Sequence, residues 1–426
     1  MRFNRGKCYS HYGAYSDNRG YSRGSRIRWE RVGIIAGVVV LILLVVLWFN
    51  FSRLKLFIKG YSFEQQNQIL SLDSKAVDEV LSHNKLEHIS DWIKTSKKYK
   101  YYDEYEYYLS QHKDTKVKAV VTLIDDVFEN YVSRLKTLNY TQKQIWTILK
   151  TASASDVKYV VEHHYTYDDI EPFMKVKGFV FKDMEKYEKA YKTQKNYNYA
   201  VLVTSYPFII SKNGVNKSYI ITNPEDILTL VKKGFYYDSQ YEPKDLVTPD
   251  VLISPDCPKE NSLMRKEAAK ALQEMFKGAK NEGYNLVINS AYRSYASQKQ
   301  TYDEYFKKYD PATAASLVAL PGASEHQSGL GVDLTCQSVL DDKRNGIANS
   351  KFSYKPDYKW CAANCYKYGF ILRFEGDKAD ITGIGNEEWH FRYVGKEAAK
   401  EIFTNGWTLE EYCLNKGIIP NIKEKK

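Results

Sequence analysis

The sequence predicts a small mixed α+β domain with a central antiparallel sheet, preceded by a single membrane-spanning helix and a mainly helical, duplicated region. Three observations predict it. A charge-free apolar run stands near the start of the chain, from Val32 to Phe49. Two stretches between residues 52 and 237 resemble one another. From Leu263 onward, helix-like and strand-like segments are mixed with no βαβ rhythm and no Gly-rich phosphate loop, which favours a small α+β domain.

The apolar run "VGIIAGVVVLILLVVLWF" rises about 27 Å as a helix, close to the ~30 Å thickness of the hydrocarbon layer. Trp48 and Phe49 suit the membrane interface. No small-residue cleavage site is evident, so the run reads as an uncleaved anchor over residues 32–51. Residues 1–31 form a tail rich in Arg, Gly, Ser and Tyr with no hydrophobic periodicity, and are expected to be disordered. They hold eight Lys/Arg against two acids, a charge of +6 out of the chain's +10. The positive-inside rule then keeps this tail in the cytoplasm and exports everything after the anchor. The remaining +4 is spread over 395 residues and is no nucleic-acid footprint.

Within residues 52–237, "LFIKGYSFEQQNQIL" (Leu56 to Leu70) aligns with "LKTLNYTQKQIWTIL" (Leu135 to Leu149). In each copy Ser62 or Thr141 stands where an N-cap would precede an amphipathic run. "KAVDEVLSH" and "SDVKYVVEH" follow, so each copy reads as a short helix–turn–helix unit. A DNA-reading role for such units conflicts with export; a stalk, a docking surface or a wall-binding module fits. The apolar runs "VKAVVTLI" and "YAVLVTSYPFII" after the copies suggest strands. His83, His163 and His164 read as surface or capping residues near helix ends, and "KKYKYYDEYEYYL" as a half-buried face.

Three prolines in "YEPKDLVTPDVLISPDC" mark an extended entry to a new domain, residues 238–426. Here "LMRKEAAKALQEMFKGAKNEG" is an amphipathic helix, "YNLVINSAY", "VDLTCQ", "FILRF" and "EWHFRYVG" are strands, and helices lie between and after them. Cys257, Cys336, Cys361, Cys365 and Cys413 are an odd number on the exported side. Cys361 and Cys365 share a helix face without further partners at zinc-site spacing, so they read as buried apolar side chains; a disulfide through Cys257 or Cys336 stays open. His326 and Asp333 sit among glycines in "PGASEHQSGLGVDL", and His390 in "NEEWHFRYVG". Two histidines and a carboxylate suit a catalytic zinc with an open fourth position. Glu387 or Glu388 can act as general base, and Arg293 in "SAYRSYASQ" can stabilise an oxyanion or bind a carboxylate. Singly, each has a plain alternative: a structural histidine, or a turn-capping aspartate.

Together, "SAYRSYASQ", "ALPGASEHQSGLGVDL", "WCAANCYKYGFILRF" and "TGIGNEEWHFRYVG" resemble the VanY-type D-alanyl-D-alanine carboxypeptidases, zinc peptidases acting on peptidoglycan stem peptides. The resemblance runs from about residue 241 to 415. It implies zinc ligation by His326, Asp333 and His390, Glu387 as base, Arg293 at the oxyanion, and Ser324 and Gln298 as substrate contacts. The partners it implies are a stem peptide ending in D-Ala-D-Ala and the membrane, with no nucleic acid. Gly331 stands where the family has Ala and Glu388 where it has Pro. An L,D-carboxypeptidase, an endopeptidase of the same group, or a wall-binding protein with a degenerate peptidase domain are the other readings.

Overall fold

The computed structural model describes residues 29–214, 217–311, 313–314, 318–347 and 349–425. Most of the basic tail, with Cys8, lies outside the described residues, as do the side chains of Trp48 and Phe49. Two compact units form, Met1–Asn130 and Tyr131–Lys426.

The first unit is helical. Helix α1 (Trp29–Phe49) has a mean hydropathy of 2.3 over Trp29–Val46 and none of that stretch is buried. Among the described residues it is the one helix long and apolar enough to cross a membrane. Then follow α2 (Phe51–Ile58), α3 (Phe63–Leu70), α4 (Ser74–Ser82), α5 (Ile89–Thr95), α6 (Tyr102–Gln111) and α7 (Val117–Asn130). Ser62 and Gln65 close a reciprocal capping box on α3, and Asp73 caps α4. The Leu86 amide donates to the Tyr61 hydroxyl at 3.0 Å, tying the turn before α5 to the turn before α3. The tyrosine-rich segment is helical, with Tyr102, Tyr105 and Leu109 on its buried side.

The second unit opens with the second copy: α8 (Val132–Thr137), α9 (Gln142–Ile148), α10 (Ala154–Glu162) and α11 (Tyr167–Met174). Thr141 and Gln144 form the matching capping box, and the Tyr140 hydroxyl donates to the Tyr165 carbonyl at 3.1 Å. Helices α12 (Met184–Gln194) and α13 (Tyr197–Ser205) follow. The two runs expected to be strands are therefore helices, α7 and α13. In α7, Val120, Val121, Ile124 and Val127 are buried at three- and four-residue spacing, a helical stripe that outweighs β-branched propensity. In α13, the consecutive Ala200, Val201 and Leu202 are all buried. Such a run carries no periodicity that separates helix from strand, and the Asn196 cap decides it.

The rest of the unit holds β1 (Tyr219–Ile221), β2 (Phe235–Tyr236), β3 (Leu246–Val247), β4 (Met264–Arg265), α14 (Lys266–Asn281), β5 (Leu286–Ser290), α15 (Tyr295–Lys308), β6 (Gly331–Cys336), α16 (Gln337–Arg344), α17 (Pro356–Asn364), β7 (Phe370–Phe374), α18 (Ala379–Thr382), β8 (Glu387–Tyr393), α19 (Lys396–Asn405), α20 (Leu409–Lys416) and β9 (Ile422–Glu424). Strands β5, β6, β8 and β7 form a four-stranded sheet in that order, every pair antiparallel. Helix α14 buries Ala268, Leu272, Met275 and Phe276 in one core with Leu286, Ile288, Val332, Leu334 and Phe391 of the sheet. The compositional change near residue 238 is crossed by many contacts. β9 pairs with β1, Arg392 donates to the Ile227 and Thr229 carbonyls, and the Tyr237 amide donates to the Gly322 carbonyl. Cys257, Cys336, Cys361, Cys365 and Cys413 are all free thiols. Burial raises the Cys365 thiol to about 12, as befits a core side chain.

Candidate active site

The antiparallel ladder assembles the site. Asp333 on β6 and His390 on β8 are direct cross-strand partners, and Ser290 on β5 pairs with Asp333 from the other side. Opposed antiparallel residues hold their Cβ atoms about 4.5–5.5 Å apart, so two side chains of a kind that can ligate a metal meet by backbone geometry alone. His326 enters from the single 3₁₀ turn Glu325–Ser328 that leads into β6. That turn ends at Gly329 with φ +66°, where a Cβ would lie 2.9 Å from Leu246 Cδ2 and 3.2 Å from the Arg265 amide nitrogen. Gly331 serves a different need: its backbone is ordinary strand, but a Cβ there would lie 3.1 Å from His390 Cε1. The missing methyl gives space to the imidazole rather than freedom to the chain.

One potential ligand atom from each of His326, Asp333 and His390 lies within 4.8 Å of the other two, and all three residues are buried. His326 Nδ1 hydrogen-bonds the Ala291 carbonyl, which turns Nε2 toward Asp333 Oδ2 at 3.3 Å. His390 Nδ1 is 2.9 Å from Asp333 Oδ1, while its Nε2 is 3.3 Å from Glu325 Oε2. The Phe374 ring stacks on His390 at 5.1 Å. Each imidazole thus turns one nitrogen to the shared carboxylate and has the other held by a carbonyl or a second carboxylate, the outer support that metal-binding histidines have. Two imidazoles and one carboxylate suit zinc. Burial and the Arg293 guanidinium push His326 down to about 4. Burial acts the same way on His390, but the Asp333 and Glu325 carboxylates outweigh it and raise the ring to about 9. Asp333 is held well below the usual carboxylate range, because its two imidazole partners outweigh burial.

Arg293 lies between β5 and α15, with Nη2 3.7 Å from Asp333 Oδ2. Its Nη1 donates to Gln298 Oε1 at 3.0 Å, and Gln298 Nε2 donates to the Ala319 carbonyl at 2.9 Å. Gln298 is 1 % exposed and both ends of its amide are engaged within the chain, so it reaches the site by bracing Arg293. Among the described residues, the buried Arg293 Nε has no hydrogen-bond partner. Ser324 is buried two residues before His326.

Strand alternation would put Glu388, not Glu387, on the His390 face. The pairing of β7 with β8 shifts register between Leu372 and Phe374, so Phe374 faces Glu387 while Leu372 faces Phe391. Glu387 nevertheless lies close enough to interact electrostatically with His390, Asp333 and Arg293; burial raises its carboxyl above the ordinary range. Glu388 bonds to Asn386 at 3.2 Å and bears on Tyr358.

Sequence reasoning missed the buried charges beneath the trio. Glu325 Oε1 accepts from Arg373 Nε at 2.9 Å and pairs with Arg392 Nη1 at 2.8 Å. Arg373 also grips Glu410 of α20 with both terminal nitrogens, at 3.0 and 2.8 Å, and Lys232 stands 3.7 Å from the same carboxylate. The signal was an arginine inside the apolar run "FILRF" and an acid flush against His326.

The family described as VanY, D-alanyl-D-alanine carboxypeptidase, matches residues 261–396. The chain is 48 % identical over 193 residues to the putative carboxypeptidase YodJ of Bacillus subtilis, covering 45 % of this chain and 68 % of that protein. It is 46 % identical to a solved LD-carboxypeptidase, LdcB, over 47 % of this chain and 92 % of that one, with a TM-score of 0.43. It is 33 % identical to a zinc complex of the vancomycin-resistance D,D-pentapeptidase VanY, over 43 % of this chain and 97 % of that one, with a TM-score of 0.36. The matched residues hold the whole trio together with Glu387 and Arg293, and the chain belongs to the VanY-type D-alanyl-D-alanine carboxypeptidases.

Proposed function

We propose that the protein is a membrane-anchored, zinc-dependent carboxypeptidase that removes the terminal D-Ala of peptidoglycan stem peptides. Residues 238–426 carry the chemistry, and α1 with the duplicated region carries the domain at the cell membrane, outside the cytoplasm. The convergence of His326, Asp333 and His390 beside Glu387 and Arg293 carries this reading. His326 and His390 would hold zinc through Nε2 and Nδ1, and Asp333 through its carboxylate. A zinc ion there supplies Lewis acidity, making water a nucleophile near neutral pH and polarising the scissile carbonyl.

The chain's own groups do the rest. Glu387 takes the proton from the attacking water and returns it to the amine of the departing D-Ala. Arg293, braced by Gln298, offers its guanidinium to the charge that develops on the carbonyl oxygen. Ser324 lies within the same turn as His326 and lines the approach of the substrate. The buried Glu325 holds the outer nitrogen of His390 and so fixes which nitrogen is offered for ligation.

Mass analysis of products from the full chain decides the reaction. Release of D-Ala from a pentapeptide ending in D-Ala-D-Ala, abolished by a chelator, is the expected result. Release from a tetrapeptide alone would make it an L,D-carboxypeptidase, and no release from either would leave a wall-binding role. His390→Ala is expected to purify with almost no zinc by atomic absorption; near-stoichiometric zinc would remove His390 from the ligand set. The pH profile gives a third check. Glu387 works as a base only when ionised, so kcat/KM should be full above its raised pKa and fall as pH drops through it. The acid limb should vanish from the residual profile of Glu387→Gln, and a limb that persists in that variant would exclude Glu387 as its origin.

A further inference from the structure

The membrane-proximal copy of the duplicated unit carries a surface that the other copy lacks, at matching positions. In the register that aligns Leu56 with Leu135 and Tyr61 with Tyr140, all four residues are buried. Gly60 and Asn139 also correspond, and both adopt positive φ. The scaffold is the same. In this register Phe51, Leu54, Phe57, Ile58 and Phe63 correspond to Asn130, Ser133, Lys136, Thr137 and Gln142. All ten are exposed. The five apolar ones are 52, 42, 68, 74 and 70 % exposed. One copy has thus placed large hydrophobic groups where its twin keeps polar ones, over the same buried Leu and Tyr anchors.

Two further observations say what covers this face. Helix α2 begins at Phe51, directly after α1 ends at Phe49, so the patch adjoins the candidate span in the chain. On α2, Phe51, Leu54, Phe57 and Ile58 lie away from the buried Leu56. Cations rim them: the Arg53 guanidinium lies 5.0 Å from the Phe63 ring centroid and the Lys55 ammonium 4.5 Å from that of Phe51. Apolar side chains edged with Lys and Arg, one step from a bilayer-spanning helix, have the chemistry of a helix lying in the lipid interface.

We propose that α2 and the start of α3 lie in the outer lipid interface, with these five side chains at the acyl boundary and Arg53 and Lys55 at anionic headgroups. This rests on the reading of α1 as a membrane span. The full chain in phosphatidylglycerol–phosphatidylethanolamine proteoliposomes tests it, with the photocrosslinker p-benzoylphenylalanine replacing Ile42, Phe57 or Lys136 in turn. Lipid adducts are expected from positions 42 and 57 and none from 136, and the adduct at 57 should be lost when Leu54→Asp and Ile58→Asp are added. An adduct at 42 with none at 57, equal lipid labelling at 57 and 136, or an adduct from 57 to a second copy of the chain would each overturn the proposal and leave the anchor standing. No adduct at 42 would overturn the anchor, and the proposal with it.

Discussion

Glu387→Gln is expected to keep its zinc and lose roughly 10²–10⁴-fold in D-Ala release, the usual contribution of a positioned general base. Glu388→Gln, by contrast, should stay within a few-fold of the parent enzyme. The difference rests on where the two carboxylates lie: Glu387 interacts with His390, Asp333 and Arg293, while Glu388 accepts a hydrogen bond from Asn386. Zinc content and single-substrate kinetics on the two variants check it. An active Glu387→Gln beside an inactive Glu388→Gln would reverse the assignment.

Arg373→Leu should cost about 3–5 kcal/mol of stability, the usual consequence of removing one partner from a buried ion pair. Arg373 is fully buried and answers two buried carboxylates at once, Glu325 through Nε and Glu410 through its paired terminal nitrogens. Leucine fills much of the space and answers neither. Arg373→Lys should recover only part of the loss, because an ammonium cannot span both carboxylates in the guanidinium's planar geometry. Chemical denaturation of the two variants measures this, and a leucine variant within 1 kcal/mol of the parent would show that the network is not needed for the fold.

These two predictions differ in how far the sequence announced them. The convergence of His326, Asp333 and His390 was legible because each stands in a dense motif of residue types able to ligate a metal. Glu387 was proposed from its motif position although strand parity argues against it; its closeness to His390, Asp333 and Arg293 shows only in the folded chain. The helices and strands around the sheet were readable from their periodicity. The Val-rich runs of α7 and α13 were not, since a short apolar run satisfies helix and strand alike. The charge network was the least readable part. Two acids and three bases scattered over Lys232, Glu325, Arg373, Arg392 and Glu410 look like ordinary solvated residues until the fold encloses them.

The register of Asp333 against His390 also bears on how such an enzyme diversifies. Between those two positions the chain wanders through α16, α17, β7 and α18 before returning to the neighbouring rung. The hydrogen-bonded ladder, not the intervening path, sets the separation of these two side chains. Insertions, deletions or rebuilt loops along that excursion, outside β7 with its Arg373 and Phe374, can therefore change the surroundings while the pairing of Asp333 with His390 is inherited unaltered.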